Sequence, residues 1–579
     1  MALARFPSGR NKTGEHSRAG GPPANRQRGI RYDGPAGWWA VGTATSAAST
    51  GGPQRGEAPA EDTRLSARGV IQRLRRRARR TLSAIDTLLE HVRMAPGGQR
   101  RPAATPRQDV KLARRQLAYY IGPSDDIVYR RFDFGTVAGL VAYAEGLVDP
   151  KFVSVAVLEP LQRMAAGLQV RRPAEITNRL HHAVTIATQA RRTRSYREAA
   201  QAILDGKAVL VIAGSPDILT FGAEGWPKRS PDEPGSERTI RGPREGMVET
   251  LSDNLALIRR WIRDPALRVR KLTVGRRTRT PVAMLYIEDL APPALVDEVW
   301  ERLRSIDVDG VLSSGHIEEF LGGRKGSLFP LVHATERTDK IASALLEGRV
   351  AVLVDRSPFG LFVPTSLVEL YQSPDDEYVS FWQGTAVRLL RIVGLVISLA
   401  LPALYISLIG FHPELIPTKL ALATAGIRQG SPMPAAVELV VMELLFELFR
   451  EGGLRLPAPL GQTVGIAGGV VLGTAAAQAG FVSGIVIVVT AGTSIASFAV
   501  PNYFIGLTWR ILKFALIGIS AVFGLTGLVT GLLMIAAHLA SLESAGAPFT
   551  TPFGPLRPGR LPATLGRVPH WEKPTTARP

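Results

Sequence analysis

Residues 392–411 read IVGLVISLALPALYISLIGF, with no Asp, Glu, Lys or Arg among them. A bilayer crossing by a helix needs about 20 mostly apolar residues, and this stretch supplies them. Two more charge-free runs follow, Leu456 to Trp509 and Phe514 to Leu542. Three such runs close together are hard to bury in a soluble core. The sequence therefore predicts a helical membrane domain over 386–545 with about four spans: one in the first run, one in the last and two in the long middle block.

Arg388 and Arg391 stand directly before the first run, and Arg557, Arg560 and Arg567 follow the last. Basic residues near span ends are retained on the cytoplasmic side. The region before the spans and the Pro/Arg-rich tail over 546–579 are thus both expected in the cytoplasm, which requires an even number of crossings. Pro402, Pro413 and Pro417 are expected to break the first span and the loop after it. The loop HPELIPTKL (412–420) then faces the other side, where it can meet a partner subunit.

Within this domain, residues 438–457 read ELVVMELLFELFREGGLRLP. The helical segment here is short for a crossing and is open to three placements: re-entrant, interfacial, or spanning inside an assembly. At 100° per residue, Glu443, Glu447 and Glu451 share one helix face while Glu438 points away. A carboxylate turned to lipid costs several kcal/mol and is normally turned toward a partner or a cavity. Two readings stay open. The stripe is a candidate cation path or vestibule, since rings of carboxylates favour cations; or Arg450, with Arg455, pairs with it and fastens the helix. Farther on, Gly465, Gly469, Gly473 and Ala477 repeat every four residues, which lets backbones approach and reads as helix packing.

Upstream, 579 residues are too many for one core. Residues 111–380 alternate strand pairs with helical patterns. AVLVIAGSPDILTFGA (208–223), RKLTVGRRTRTPVAMLYIEDL (270–290) and GRVAVLVDRSPFGLFVPTSL (348–367) are hairpin-like, and PALVDEVWERLRSI (293–306) is a helix. The fold class is an α/β region of two lobes, 111–235 and 236–380, divided near the Gly- and Pro-rich 225–246 and followed by the helical membrane domain. Ahead of the lobes, residues 1–110 carry much of the formal net charge of +20 among Gly, Pro, Ala and Ser. Such a segment cannot bury enough apolar surface to fold and reads as a disordered basic arm.

Chemistry is sparse in the lobes. The chain has no cysteine, which excludes disulfides, thiolate nucleophiles and Cys-ligated metals. GGRKGS (322–327) lacks the residue order of a phosphate loop, and GSPDI (214–218) lacks the second Gly of a nucleophile elbow. His181, His182, His316 and His333 have no metal-ligand spacing. No enzyme activity, metal or cofactor is expected.

Six stretches are familiar as a set. IRGPREGMVETLSDNLALIRRWI (240–262) followed by RTRTPVAMLYIEDL, VDRSPFGLFVPTSLVELYQSPDDEY (354–378), FHPELIPTKLALA (411–423), MELLFELFREGGLRLPAPLGQTVGIAGGVVLG (442–473) and GTSIASFAVPNYFIGLTWRILKF (492–514) resemble, in order, the GerA-type spore germination receptor A-subunit family. The resemblance runs from about Ala118 to about Pro555, with Gly452 and Gly453 standing where an acidic-Ala-Gly run is more usual. It implies a multi-pass protein of the spore inner membrane that works with a transporter-like B subunit and a lipoprotein C subunit. Nutrient recognition there belongs mainly to the B subunit. The A subunit is understood as a homo-oligomeric ring that conducts cations. For this chain membrane lipid is an expected contact and nucleic acid is not. A paralogous branch encoded with dipicolinate-channel proteins has the same architecture, and a non-conducting scaffold for a transporter-like partner is a further alternative.

Overall fold

The computed structural model describes residues 109–134, 137–167, 173–185, 190–223, 239–323, 326–455 and 478–569, with a few isolated positions besides. Most of the expected basic arm, and the stripe Gly465, Gly469, Gly473 and Ala477, lie outside the described residues.

The first lobe opens with helix α1 (Val110–Ile121), whose N-cap Asp109 accepts a hydrogen bond from the Lys111 amide. Strands β1 (Ile127–Asp133) and β2 (Ala138–Ala144) follow, then a helical run over 150–167 and α2 (Pro173–Thr185). β3 (Arg191–Thr193), α3 (Tyr196–Leu204), β4 (Lys207–Ile212) and β5 (Ile218–Gly222) complete it. The sheet order is β1-β2-β4-β5-β3. Both faces of the sheet are covered, which is why β4 reads as an unbroken apolar run. Val209 and Val211 pack against α1 and α3, while Leu210 and Ile212 meet Val157, Leu161 and Leu180 on the opposite face, as the two-residue period of a strand requires.

The second lobe repeats this plan. Helix α4 (Leu251–Trp261) precedes β6 (Leu267–Val274) and β7 (Thr280–Ile287). Then come α5 (Pro293–Arg304), α6 (Ser314–Leu321), β8 (His333–Thr335), α7 (Thr338–Leu346), β9 (Val350–Val354) and β10 (Gly360–Val363). The sheet order β6-β7-β9-β10-β8 is that of the first lobe with every strand advanced by five. The three strand pairs predicted from sequence form here as β4–β5, β6–β7 and β9–β10. The two lobes meet at a buried ion pair: Arg259 on α4 donates from Nε to Asp126 Oδ2 at 2.8 Å and from Nη2 to Oδ1 at 3.1 Å. Burial pushes the Asp126 carboxyl up, but the guanidinium beside it outweighs that and holds it below its ordinary value.

The helical region consists of α8 (Phe381–Gly410), α9 (Thr418–Arg428), α10 (Ala435–Arg455), α11 (Gly484–Ser497) and α12 (Tyr503–Ala540). Of the described helices, α8 and α12 are long and apolar enough to cross a membrane. Two sequence expectations are corrected here. Pro402 does not break α8, which continues through it; neighbouring helices and local adjustment make an interior Pro tolerable in apolar bundles. The last charge-free run does not form one straight span either. At Gly524 the backbone leaves helical geometry, with φ 60° and ψ −139°, and the chain folds back on itself. A Cβ at Gly531 would lie 2.5 Å from Leu516 Cδ2, and Phe329 touches the rings of both Trp509 and His538. α12 is therefore a hairpin with arms 503–523 and 525–540.

The hairpin base rests on the second lobe, where Thr508 Oγ1 donates to the Leu328 carbonyl at 2.7 Å. Its tip stands beside Phe411, just past the far end of α8. The near end of α8 is tied to the lobe by Arg391, whose guanidinium takes both oxygens of Asp376 at 2.8 and 3.1 Å. Beyond α12 the chain returns to the lobe: Ser544 Oγ donates to the Leu331 carbonyl at 2.6 Å, and the Leu367 amide to the Phe549 carbonyl at 2.8 Å. The Arg567 amide reaches Thr385 at 3.0 Å. The α/β lobes and the tail thus lie at the same end of the helical region.

Candidate functional site

Five buried or half-buried charges meet where α10 packs against the first arm of α12. The two elements run antiparallel. A step of four residues up α10 matches a step of three down α12, so two pairs form in register. Lys513 Nζ reaches Glu443 Oε2 at 2.5 Å, with 5% and 1% of the side chains exposed. Arg510 Nη1 reaches Glu447 Oε1 at 2.5 Å, with 10% and 28% exposed. Among the described residues, the second Glu443 oxygen, Oε1, is buried without a hydrogen-bond partner.

The remaining acidic positions separate from this pair. Glu451 is exposed. Glu438 is fully buried at the far end of α10, where Ser431 and Ser483 donate to its two oxygens and Arg428 stands 3.9 Å away. Arg450, expected as the partner of Glu443 and Glu447, is 3.8 Å from Glu447. Its short bond goes instead to Ser497 Oγ at 2.8 Å, and its guanidinium lies over the Phe498 ring.

Sequence reasoning missed Arg510 and Lys513 as the counter-ions because they close the long charge-free run and read as the boundary of a span. A signal was present. Two cations three residues apart on one helix match two carboxylates four apart on another, which is the spacing that antiparallel pairing needs.

In the lobes, His333 is buried and stacked on Phe362 with centroids 4.5 Å apart. Burial, with Lys340 and Arg349 nearby, holds its pKa well below the ordinary value, so the ring is neutral. Among the described residues no group of three or more His, Asp or Glu is placed to hold a metal ion.

The family model described as Bacillus/Clostridium GerA spore germination protein matches residues 115–579. Spore germination protein B1 of Bacillus subtilis (strain 168) is 37% identical over 78% of this chain and 92% of its own length. Spore germination protein GerLA of Bacillus cereus is 40% identical over 72% of this chain and 84% of its own. The uncharacterized membrane protein YfkQ of Bacillus subtilis (strain 168) is 35% identical over 84% of this chain and 93% of its own. Among solved structures, the N-terminal domain of the A subunit of the Bacillus megaterium spore germinant receptor GerK3 matches 46% of this chain and 98% of its own length, at 27% identity and a TM-score of 0.36. With its full run of lobes and helices covered by the family model, the chain belongs to the GerA spore germination protein family.

Proposed function

We propose that this chain is the A subunit of a nutrient receptor in the inner membrane of a dormant spore, and that its helical region conducts monovalent cations when the receptor is activated. The subunit works as a homo-oligomer beside a transporter-like B subunit and a lipoprotein C subunit, with its lobes in the cytoplasm. The observation that carries the reading is Glu443: a carboxylate deep in an apolar bundle, with one oxygen on Lys513 and the other without a partner among the described residues. Intramembrane ionisable groups mark ion pathways because their burial is too unfavourable to persist without use. In the conformation described, Lys513 and Arg510 occupy the carboxylates as tethered cations, so the path is closed. Activation separates the pairs and frees Glu443 and Glu447 for a mobile cation, a population shift between two packings of α12 on α10.

A second reading is favoured by the same pairs being formed: they fasten α12 to α10, and the protein is a non-conducting scaffold for its transporter-like partner. Reconstitution separates the two. Purified full-length protein in liposomes, with its partner subunits and a germinant, passes potassium under the first reading. Protein that assembles with its partners and passes no monovalent cation would establish the scaffold.

A further inference from the structure

A cavity of about 200 Å³ lies at the near end of the helical region, between α10, α11 and the first arm of α12. Arg450, Arg510 and Lys513 line it, with Ser497, Asn502 and Trp509. Three positive charges thus face one space, against the two carboxylates Glu443 and Glu447 that hold Lys513 and Arg510. One positive charge is left over.

That surplus sits on Arg450. Glu447 is 3.8 Å from it and is already engaged by Arg510. Ser497 satisfies one guanidinium nitrogen, Nη2. The Nε is buried with no hydrogen-bond partner among the described residues, while 17% of the side chain is exposed. A guanidinium largely removed from water that shares its carboxylate, Glu447, with a second cation is only partly compensated, and Arg normally answers with charge-assisted bonds to an anion. The first turn of α12 borders the same space through Tyr503 and Gly506, and the positive end of the helix dipole adds to the field.

We propose that this cavity is a binding site for one small monovalent anion, a halide or a short monocarboxylate, seated against Arg450. The surplus charge of one sets the valence. The cavity of about 200 Å³ has room for such an ion together with several waters, a single water needing only about 10–15 Å³. The Trp509 wall abuts Phe329 and Tyr371 of the second lobe, which places the cavity at the lobe end of the helical region. Once seated, it competes with Glu447 and Glu443 for Arg510 and Lys513, which couples its occupancy to the two pairs. Binding itself does not depend on whether the protein conducts.

The test uses full-length protein in detergent, where flux plays no part. Sodium bromide replaces sodium gluconate at constant ionic strength while tryptophan emission is followed, because bromide quenches an indole beside it. The expected result is a saturable quenching component that acetate reverses and that Trp509→Phe removes. In Arg450→Gln the midpoint rises at least about tenfold, as loss of a charge-assisted bond in a buried site predicts; Arg276→Gln, on the lobe surface, leaves it unchanged. Quenching that is linear in bromide, or saturable but equal in Arg450→Gln, overturns the proposal. If Arg450→Gln fails to fold, acetate competition in the unaltered protein decides, and its absence also overturns the proposal.

Discussion

Lys513 Nζ stands 2.5 Å from Glu443 Oε2 in a contact that leaves almost nothing of either side chain exposed. The pair joins the first arm of the α12 hairpin to α10, beside the Arg510–Glu447 pair and among apolar side chains that include Met442 and Ile517. Two opposite charges brought together out of water stabilise little relative to an apolar pair, but either one left alone is strongly destabilising.

Lys513→Met alone therefore lowers stability by roughly 3–5 kcal/mol, because it leaves the Glu443 carboxylate buried and unpaired. Glu443→Gln combined with Lys513→Met recovers most of that loss. Thermal unfolding of the detergent-held protein across the double-mutant cycle measures the coupling; additive losses would mean that the two groups do not act as a pair.

Arg259 and Asp126 make a similar pair between the lobes, with 1% and 0% of the side chains exposed. Folding depresses the Asp126 carboxyl, so between its folded and unfolded values the unfolded chain binds more protons. The stabilisation is complete above about pH 4 and is lost as pH falls through the folded value. Asp126→Asn should destabilise the lobes at neutral pH and flatten the acid limb of the stability profile. An acid limb as steep in Asp126→Asn as in the unaltered protein would assign that limb to other groups.

Gly524 is the turn of the hairpin. An L side chain there must adopt φ 60° and ψ −139°, and its Cβ would fall 2.8 Å from Phe411 Cβ. Gly524→Ala is expected to cost about 1–3 kcal/mol in backbone strain besides the clash. Gly518→Ala meets nothing within 4 Å and gains helix propensity, so it should be neutral or stabilising. Equal melting temperatures for the two variants would contradict a turn at Gly524.

The tail and the lobes lie at one end of the helices, while α9 lies beyond the other end of α8. A cysteine at Ser373 and another at Thr564 should both resist an impermeant thiol reagent in intact cells, whereas one at Gln429, which is exposed, should react. The chain has no native cysteine to confuse the readout. Labelling of Thr564→Cys without Ser373→Cys would mean that the tail does not rejoin the lobe.

The three hairpins of the lobes were legible because Ser-Pro-Asp, Gly-Arg-Arg-Thr-Arg and Asp-Arg-Ser-Pro-Phe turns punctuate them, between strands that packing on both faces makes apolar throughout in β9 and β10 and in nearly all of β4 and β5. That the second lobe repeats the strand order of the first was not legible, since the order depends on which edge each hairpin joins, and nothing local records that. The apolar runs marked the helical region, but Gly524 reads as one glycine among many and its positive φ is a tertiary outcome. For the buried charges, the face of α10 bearing Glu443 and Glu447 followed from helical period alone. Their partners did not, because pairing across helices is set by how α12 docks. Arg450 was the near choice along the chain and Lys513 the near one in space.

The central claim is that Glu443 and Glu447 line a cation path that Lys513 and Arg510 keep closed. The direct measurement is potassium flux per assembled complex in liposomes, for the unaltered protein, Glu443→Gln, Glu447→Gln and Lys513→Gln. The account predicts reduced stimulated flux in both glutamate variants with assembly intact, and raised unstimulated flux in Lys513→Gln, where the tethered cation is gone. Stimulated flux unchanged in Glu443→Gln and Glu447→Gln, together with no leak in Lys513→Gln, would contradict it and leave these residues as fastenings of the bundle.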